Sequence, residues 1–177
     1  MGFTIAQEKS QVQAAHRFQV SAELQQIQLL DCTATLSESD GQLQGQLRLG
    51  LKMETAVLSV SERNARFAVR ISVFGDPIDA PEQPERHGFE VACRYALDYE
   101  LRRGYTPSTA ELDAFREGNA ILHCWPYSRE LVQNLTARMG LPIPPLPLLR
   151  LVPKASPKTA HKRAAKSTRK VEEKAGD

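Results

Sequence analysis

Between Ser108 and Met139 the chain spells out one amphipathic rod, and every other segment has to be fitted around it. Ser108 and Glu111 stand at the spacing of a capping box, in which the serine oxygen and the glutamate carboxylate satisfy N–H groups left free at a helix start. The spacing predicts a helix from Thr109 onward. Leu112, Phe115, Asn119, Leu122, Trp125, Val132, Leu135 and Met139 then recur at helical steps, which places them along one face. Pro126 lies inside this pattern, lacks an N–H and crowds the carbonyl of Leu122, a cost of roughly 3 kcal/mol in an ordinary helix. The rod must bend there, or something must offset that cost.

Four runs with the two-residue period of a strand come before the rod. Ile27, Leu29, Leu30, Cys32, Ala34 and Leu36 form the first, with a slip of phase near Leu29 and a turn at Ser37 to Gly41. The second sets Leu43, Leu47, Leu49, Leu51 and Met53 against Gln44, Gln46, Arg48, Lys52 and Glu54. Phe67, Val69, Ile71 and Val73 make the third, and Phe89, Val91, Cys93, Tyr95, Leu97 and Tyr99 the fourth. Glu62-Arg63-Asn64 connects the second to the third, and a loop holding Pro77, Pro81 and Pro84 connects the third to the fourth. Half-buried strands followed by one amphipathic helix predict an α+β fold, a four-stranded antiparallel sheet covered on its apolar face by the long C-terminal helix. No strand leads into a glycine-rich loop, so nucleotide binding has no support.

The residues of the rod carry a resemblance. Asn119-Ala120-Ile121-Leu122-His123-Cys124-Trp125-Pro126-Tyr127-Ser128-Arg129-Glu130-Leu131, with Arg138, Gly140, Leu141 and Pro142 after it, is similar to the long helix of the SecB family of export chaperones. Trp125 stands where that family usually has phenylalanine, Met139-Gly140 shifts the glycine by one position, and the second helix that normally follows is missing. The resemblance implies a SecB-like, ATP-independent holdase that takes unfolded polypeptides into apolar grooves. Carried over by position, Leu47, Leu49, Leu51, Trp125, Leu146, Leu148 and Leu149 become the client-binding residues, each also open to a reading as plain core. It also implies a homotetramer, a dimer of dimers, with Leu112, Phe115, Asn119, Leu122 and Arg129 on the helix used for assembly; the residues themselves leave two roles open, Arg129 reaching a carboxylate on a neighbouring subunit or Glu130 pairing locally. Clients would be handed to the translocase ATPase during export. Ala92 and Arg94 stand near where that handover leads one to expect acid, and a basic tail replaces the terminal helix. Dedicated chaperoning of an antitoxin in a toxin-antitoxin system is the first alternative.

After Met139, prolines 142, 144, 145, 147 and 153 exclude a helix and favour an extended track that is nonetheless apolar, through Leu141, Ile143, Leu146, Leu148, Leu149 and Leu151. Such a track either straps the end of the core or borders a groove. From Lys154 onward eight Lys or Arg face three acids, whereas the rest carries 15 basic against 18 acidic residues. A tail of that composition, 154–177, is expected to be disordered. A non-enzymatic scaffold whose basic tail binds nucleic acid is therefore the alternative of a different class. Residues 1–21, rich in Gln and Ala, read as an N-terminal arm, either frayed or thinly helical with Val12, Ala15, His16 and Gln19 on one side. The domain itself is expected to span 22–153.

No apolar run is long enough to span a membrane and no signal sequence opens the chain, so the cytoplasm is the expected compartment. Cys32, Cys93 and Cys124 share no short spacing, and His16, His87, His123 and His161 are scattered, which nominates neither a metal site nor a cofactor. His123 and Cys124 are neighbours in sequence but point about 100° apart on a helix, so no thiol-imidazole dyad and no catalytic residue is assigned.

Overall fold

A computed structural model describes residues 3–37, 46–78, 87–141 and 143–154. The expected turn over 38–41, Leu43 and Gln44 at the start of the second run, Pro81 and Pro84, Pro142, His161 and the tail from residue 155 lie outside the described residues. Strands β2 (Ala22–Leu36), β3 (Leu47–Val60), β4 (Asn64–Pro77) and β5 (Phe89–Leu101) form one antiparallel sheet in the order β2-β5-β4-β3. Alternation explains the result: every predicted inward residue of β4 and β5, from Phe67 to Val73 and from Phe89 to Tyr99, is buried. The slip near Leu29 is a bulge between Leu29 and Asp31, and a second lies between Leu24 and Gln26. Each inserts an extra residue and resets which side chains face the core.

Residues 3–21 are built into the body rather than frayed. Phe3–Gln7 is a strand, β1, and Lys9–Ser21 a helix, α1. The buried face of α1 is Ala14, Ala15 and Phe18, whereas Val12, His16 and Gln19 are exposed. The apolar count along α1 was misleading because one phenylalanine and two alanines, not the valine, do the packing. Phe18 meets Phe115 at 4.4 Å between ring centroids, Phe67 at 5.5 Å and Tyr99 at 5.9 Å, which puts an aromatic cluster between sheet and helices.

The rod begins as predicted, but it is not uniform. α2 (Thr109–Phe115) is followed by a π-helical turn, Arg116–Ala120, and then by α3 (Ile121–Arg138), with Pro126 exposed inside α3. Gly118, in the wide turn, faces the side chain of Gln7, and a Cβ there would come within 2.6 Å of Gln7 Nε2. That amide instead donates to the Ala114 carbonyl at 2.9 Å, docking β1 onto the helix. The widened turn also shifts the seam. Ala114, Phe115, Gly118, Ile121, Cys124, Trp125, Ser128, Val132 and Thr136 are buried, and Leu112, Asn119 and Leu122 are only half-buried. Gly140, at φ +73°, ends the rod: its N–H bonds the Ala137 carbonyl and Leu141 N–H bonds that of Thr136, the paired bonds of a Schellman cap.

The capping box is closed, with Ser108 N–H donating to Glu111 Oε2 at 2.8 Å and Glu111 N–H to Ser108 Oγ at 3.3 Å. Arg17 Nε reaches Glu111 Oε1 at 2.7 Å, so the same carboxylate joins α1 to α2. The hydrogen bonds from Ser108, with help from Arg17, hold the Glu111 carboxyl at about 2. A depressed carboxylate contributes stability that is complete above its ordinary value of 4.5 and disappears as pH falls toward its folded value. Chemical denaturation should therefore find about 2 kcal/mol less stability from this group at pH 2 than at pH 6, with Glu111→Gln flattening that slope.

Candidate functional site

Four strands about 4.8 Å apart are wider than the roughly 10 Å that one helix covers. α3 packs over β5 and β4, and the π turn over β4 and β3, so the apolar face runs out from under them toward the edge strand β2. On β2, Leu24, Leu29 and Leu36 stand opposite the buried Tyr99, Tyr95 and Phe89 on the same side of the sheet, yet are themselves exposed, Leu29 and Leu36 by 46% each. Leu30, at the bulge, is exposed as well. On β3, Leu47, Leu49, Leu51, Met53 and Val57 are half-buried against the core. The β2 leucines were missed as site residues. Their alternation was visible, but only the strand order shows that β2 is an edge.

The proline track is a strap. Its last part, Leu149–Pro153, is a strand, β6, paired in parallel with β1 from Phe3↔Leu149 to Gln7↔Pro153. Where prolines cannot donate, helix side chains supply the donors. Trp125 Nε1 donates to the Pro147 carbonyl at 3.1 Å and Arg129 Nε to the Leu146 carbonyl at 2.8 Å. Phe3 packs edge-on against the Trp125 ring at 5.7 Å.

The client residues carried over by resemblance thus fall on β3, α3 and the strap. Leu47, Leu49 and Leu51 remain partly open on β3. Trp125, Leu146 and Leu149 are buried within the chain, where they fasten the strap, whereas Leu148 is 62% exposed. The assembly residues lie along the rod. Phe115 is enclosed by Phe18, Phe67 and Tyr99, and Arg129 Nε donates to the Leu146 carbonyl of its own chain. Asn119 Nδ2 donates to Gln19 Oε1 at 2.9 Å, and Leu112 and Leu122 are half-buried against the core. On the outer side of α3 an open furrow of about 760 Å³ is lined by Pro126, Glu130, Gln133, Asn134 and Arg138 among others.

The titratable groups are arranged for packing. The Tyr99 hydroxyl and His123 Nδ1 share a hydrogen bond of 2.7 Å, and burial pushes the phenol up and the imidazole down. Cys124 lies in the core, its thiol pushed up to about 12 by burial. On the outer face of the sheet Arg94 Nε holds Asp31 at 2.7 Å, and Arg66 lies 3.3 Å from Asp98. Among the described residues no helix is long and apolar enough to cross a membrane.

No family model matches the chain. Two curated proteins of Mycobacterium tuberculosis are similar to it: the SecB-like chaperone Rv1957 of strain H37Rv and the SecB-like chaperone MT2006 of strain CDC 1551. Each is 30% identical over 141 residues, 71% of this chain and 76% of the relative. Among solved structures, the Mycobacterium tuberculosis Rv1957 SecB-like chaperone in complex with a ChAD peptide from the Rv1956 HigA1 antitoxin superposes with a TM-score of 0.59 at 27% identity. That match covers 78% of this chain and 96% of the other. With the sheet, the proline-bearing rod and these relatives in agreement, the chain belongs to the SecB-like chaperone family.

Proposed function

We propose that this protein is an ATP-independent holdase that takes extended apolar segments of non-native polypeptides onto the uncovered helix-side flanks of its sheet. The observation that carries the reading is the leucine flank of β2, Leu24, Leu29 and Leu36, left open where the helical layer ends, with the half-buried β3 row on the opposite edge. Burying such side chains yields about 25 cal/mol per Å², enough for weak sites that add along one client chain. An antitoxin is the favoured client, since the SecB-like neighbour of the same fold is bound to an antitoxin peptide. Export service draws less support, because Arg94, standing where the resemblance leads one to expect acid, is engaged with Asp31. Assembly into a homotetramer belongs to the same reading, with the edge strands β2 and β3 offered for strand pairing and the outer face of α3 for helix packing.

The test is suppression of aggregation of a denatured test protein without ATP, followed by light scattering. Leu29→Gln with Leu36→Gln is expected to raise the concentration needed for half suppression about tenfold while leaving the melting temperature unchanged. Removal of residues 155–177 is expected to change nothing. Full suppression by the double variant would exclude the β2 flank. Absence of suppression in every form, together with a salt-sensitive nucleic-acid affinity lost on tail removal, would favour the scaffold reading.

A further inference from the structure

Cys32 and Cys93 are direct partners across the β2–β5 ladder, and their sulfurs lie 3.6 Å apart. We infer that these two thiols form a peroxide-sensitive modification site, closing to a cross-strand disulfide that ties the edge strand to the sheet.

Directly opposed residues of an antiparallel pair have Cα atoms about 4.5–5.5 Å apart, inside the 4.4–6.8 Å that a disulfide spans. The sulfurs need to approach by only about 1.5 Å, a distance that side-chain rotation can cover without moving the strands. Access is asymmetric. Cys93 is fully buried, and its thiol is pushed up by that burial and by Cys32 beside it. Cys32 is half-buried on the open flank of β2, between Leu29 and Leu36, and the bulge between Leu29 and Asp31 lies immediately before it. An oxidant arriving from solvent therefore meets Cys32 first. Cys124, the remaining thiol, is sealed in the core.

The chemistry balances with hydrogen peroxide as the oxidant. The Cys32 sulfur takes one peroxide oxygen as the O–O bond breaks, and the departing hydroxide leaves as water with the thiol proton, giving a sulfenic acid. The Cys93 sulfur then bonds to the Cys32 sulfur, the S–O bond breaks, and the hydroxyl leaves as a second water with the Cys93 proton. Two thiols lose two electrons and one peroxide gains them. The bridge depends only on the chain's own cysteines, so it stands or falls separately from client binding.

The experiment treats the reduced full chain with hydrogen peroxide, blocks free thiols with iodoacetamide and maps peptides without reduction. The expected result is a linked Cys32–Cys93 peptide with a mass loss of about 2 Da, and Cys124 alkylated only after unfolding. Closing so long a loop should raise the melting temperature by roughly 10 °C, reversed by dithiothreitol. Cys124→Ser should leave the bridge and the shift intact. Cys32→Ser, at a half-buried position that tolerates the change better than Cys93, should abolish both. Oxidation of Cys32 to sulfinic acid with Cys93 still reduced, a bridge between two chains through Cys32, or no loss of thiols would overturn the assignment.

Discussion

Phe18→Ala is expected to lower the stability of the chain by about 4 kcal/mol, the largest loss of any single substitution on the N-terminal helix. The ring is completely buried and touches Phe115, Phe67, Tyr99 and Tyr105. Its removal leaves a cavity among rigid aromatics that cannot collapse to fill it. It is also the one large side chain that α1 buries, since Ala14 and Ala15 are the others. A helix of 13 residues does not hold its shape in water without such an anchor. Urea denaturation should show the midpoint falling, and amide exchange should show α1 losing protection ahead of β4 and β5. Phe18→Leu should restore about half of the loss. A cost below about 1 kcal/mol in Phe18→Ala would mean that α1 is held by something other than this cluster.

Trp125→Ala should cost about 3 kcal/mol and free the proline strap from the helix. The indole fills space beneath Phe3, and its N–H is the donor for Pro147 in a track where prolines supply none. Trp125→Phe separates the two contributions: it keeps most of the packing and deletes the hydrogen bond, for a loss of about 1 kcal/mol. The reporter is exchange of the amides of Leu149 to Val152 and of their β1 partners, which should quicken in Trp125→Ala while the four-stranded sheet remains protected. If strap and sheet lost protection together, the strap would be one cooperative unit with the body and the local tie unimportant.

Much of the architecture was legible because burial on one face enforces a period. The inward rows of β4 and β5, the slip at Leu29 and the capping box at Ser108 all follow from local spacing. The strand order did not, for pairing β2 to β5 instead of to β3 leaves no local trace, and with it went the knowledge that Leu24, Leu29 and Leu36 sit on an edge. The helix seam was only partly readable. Apolar residues signal a period, whereas Gly118, Ser128 and Thr136 are buried without announcing it, and the wide turn at Arg116–Ala120 advances every later position. β1 escaped notice because a five-residue strand with two half-buried apolar side chains, Phe3 and Ile5, gains its meaning from a partner nearly 150 positions away. The burial of Trp125, Leu146 and Leu149 could not be carried over by position for a related reason. Sequence correspondence preserves the element, while exposure depends on what is laid over it.

The parallel pairing of Phe3–Gln7 with Leu149–Pro153 also has a consequence for biosynthesis. Phe3–Gln7 is synthesised well before Leu149–Pro153, which completes it, so Phe3 and Ile5 wait without cover while the sheet and rod assemble. Closing so large a loop is entropically demanding and slow compared with forming hairpins or helical turns. A protein of a chaperone family thus passes through a stage in which one of its own strands is unfinished, open to capture by another nascent copy until the strap arrives.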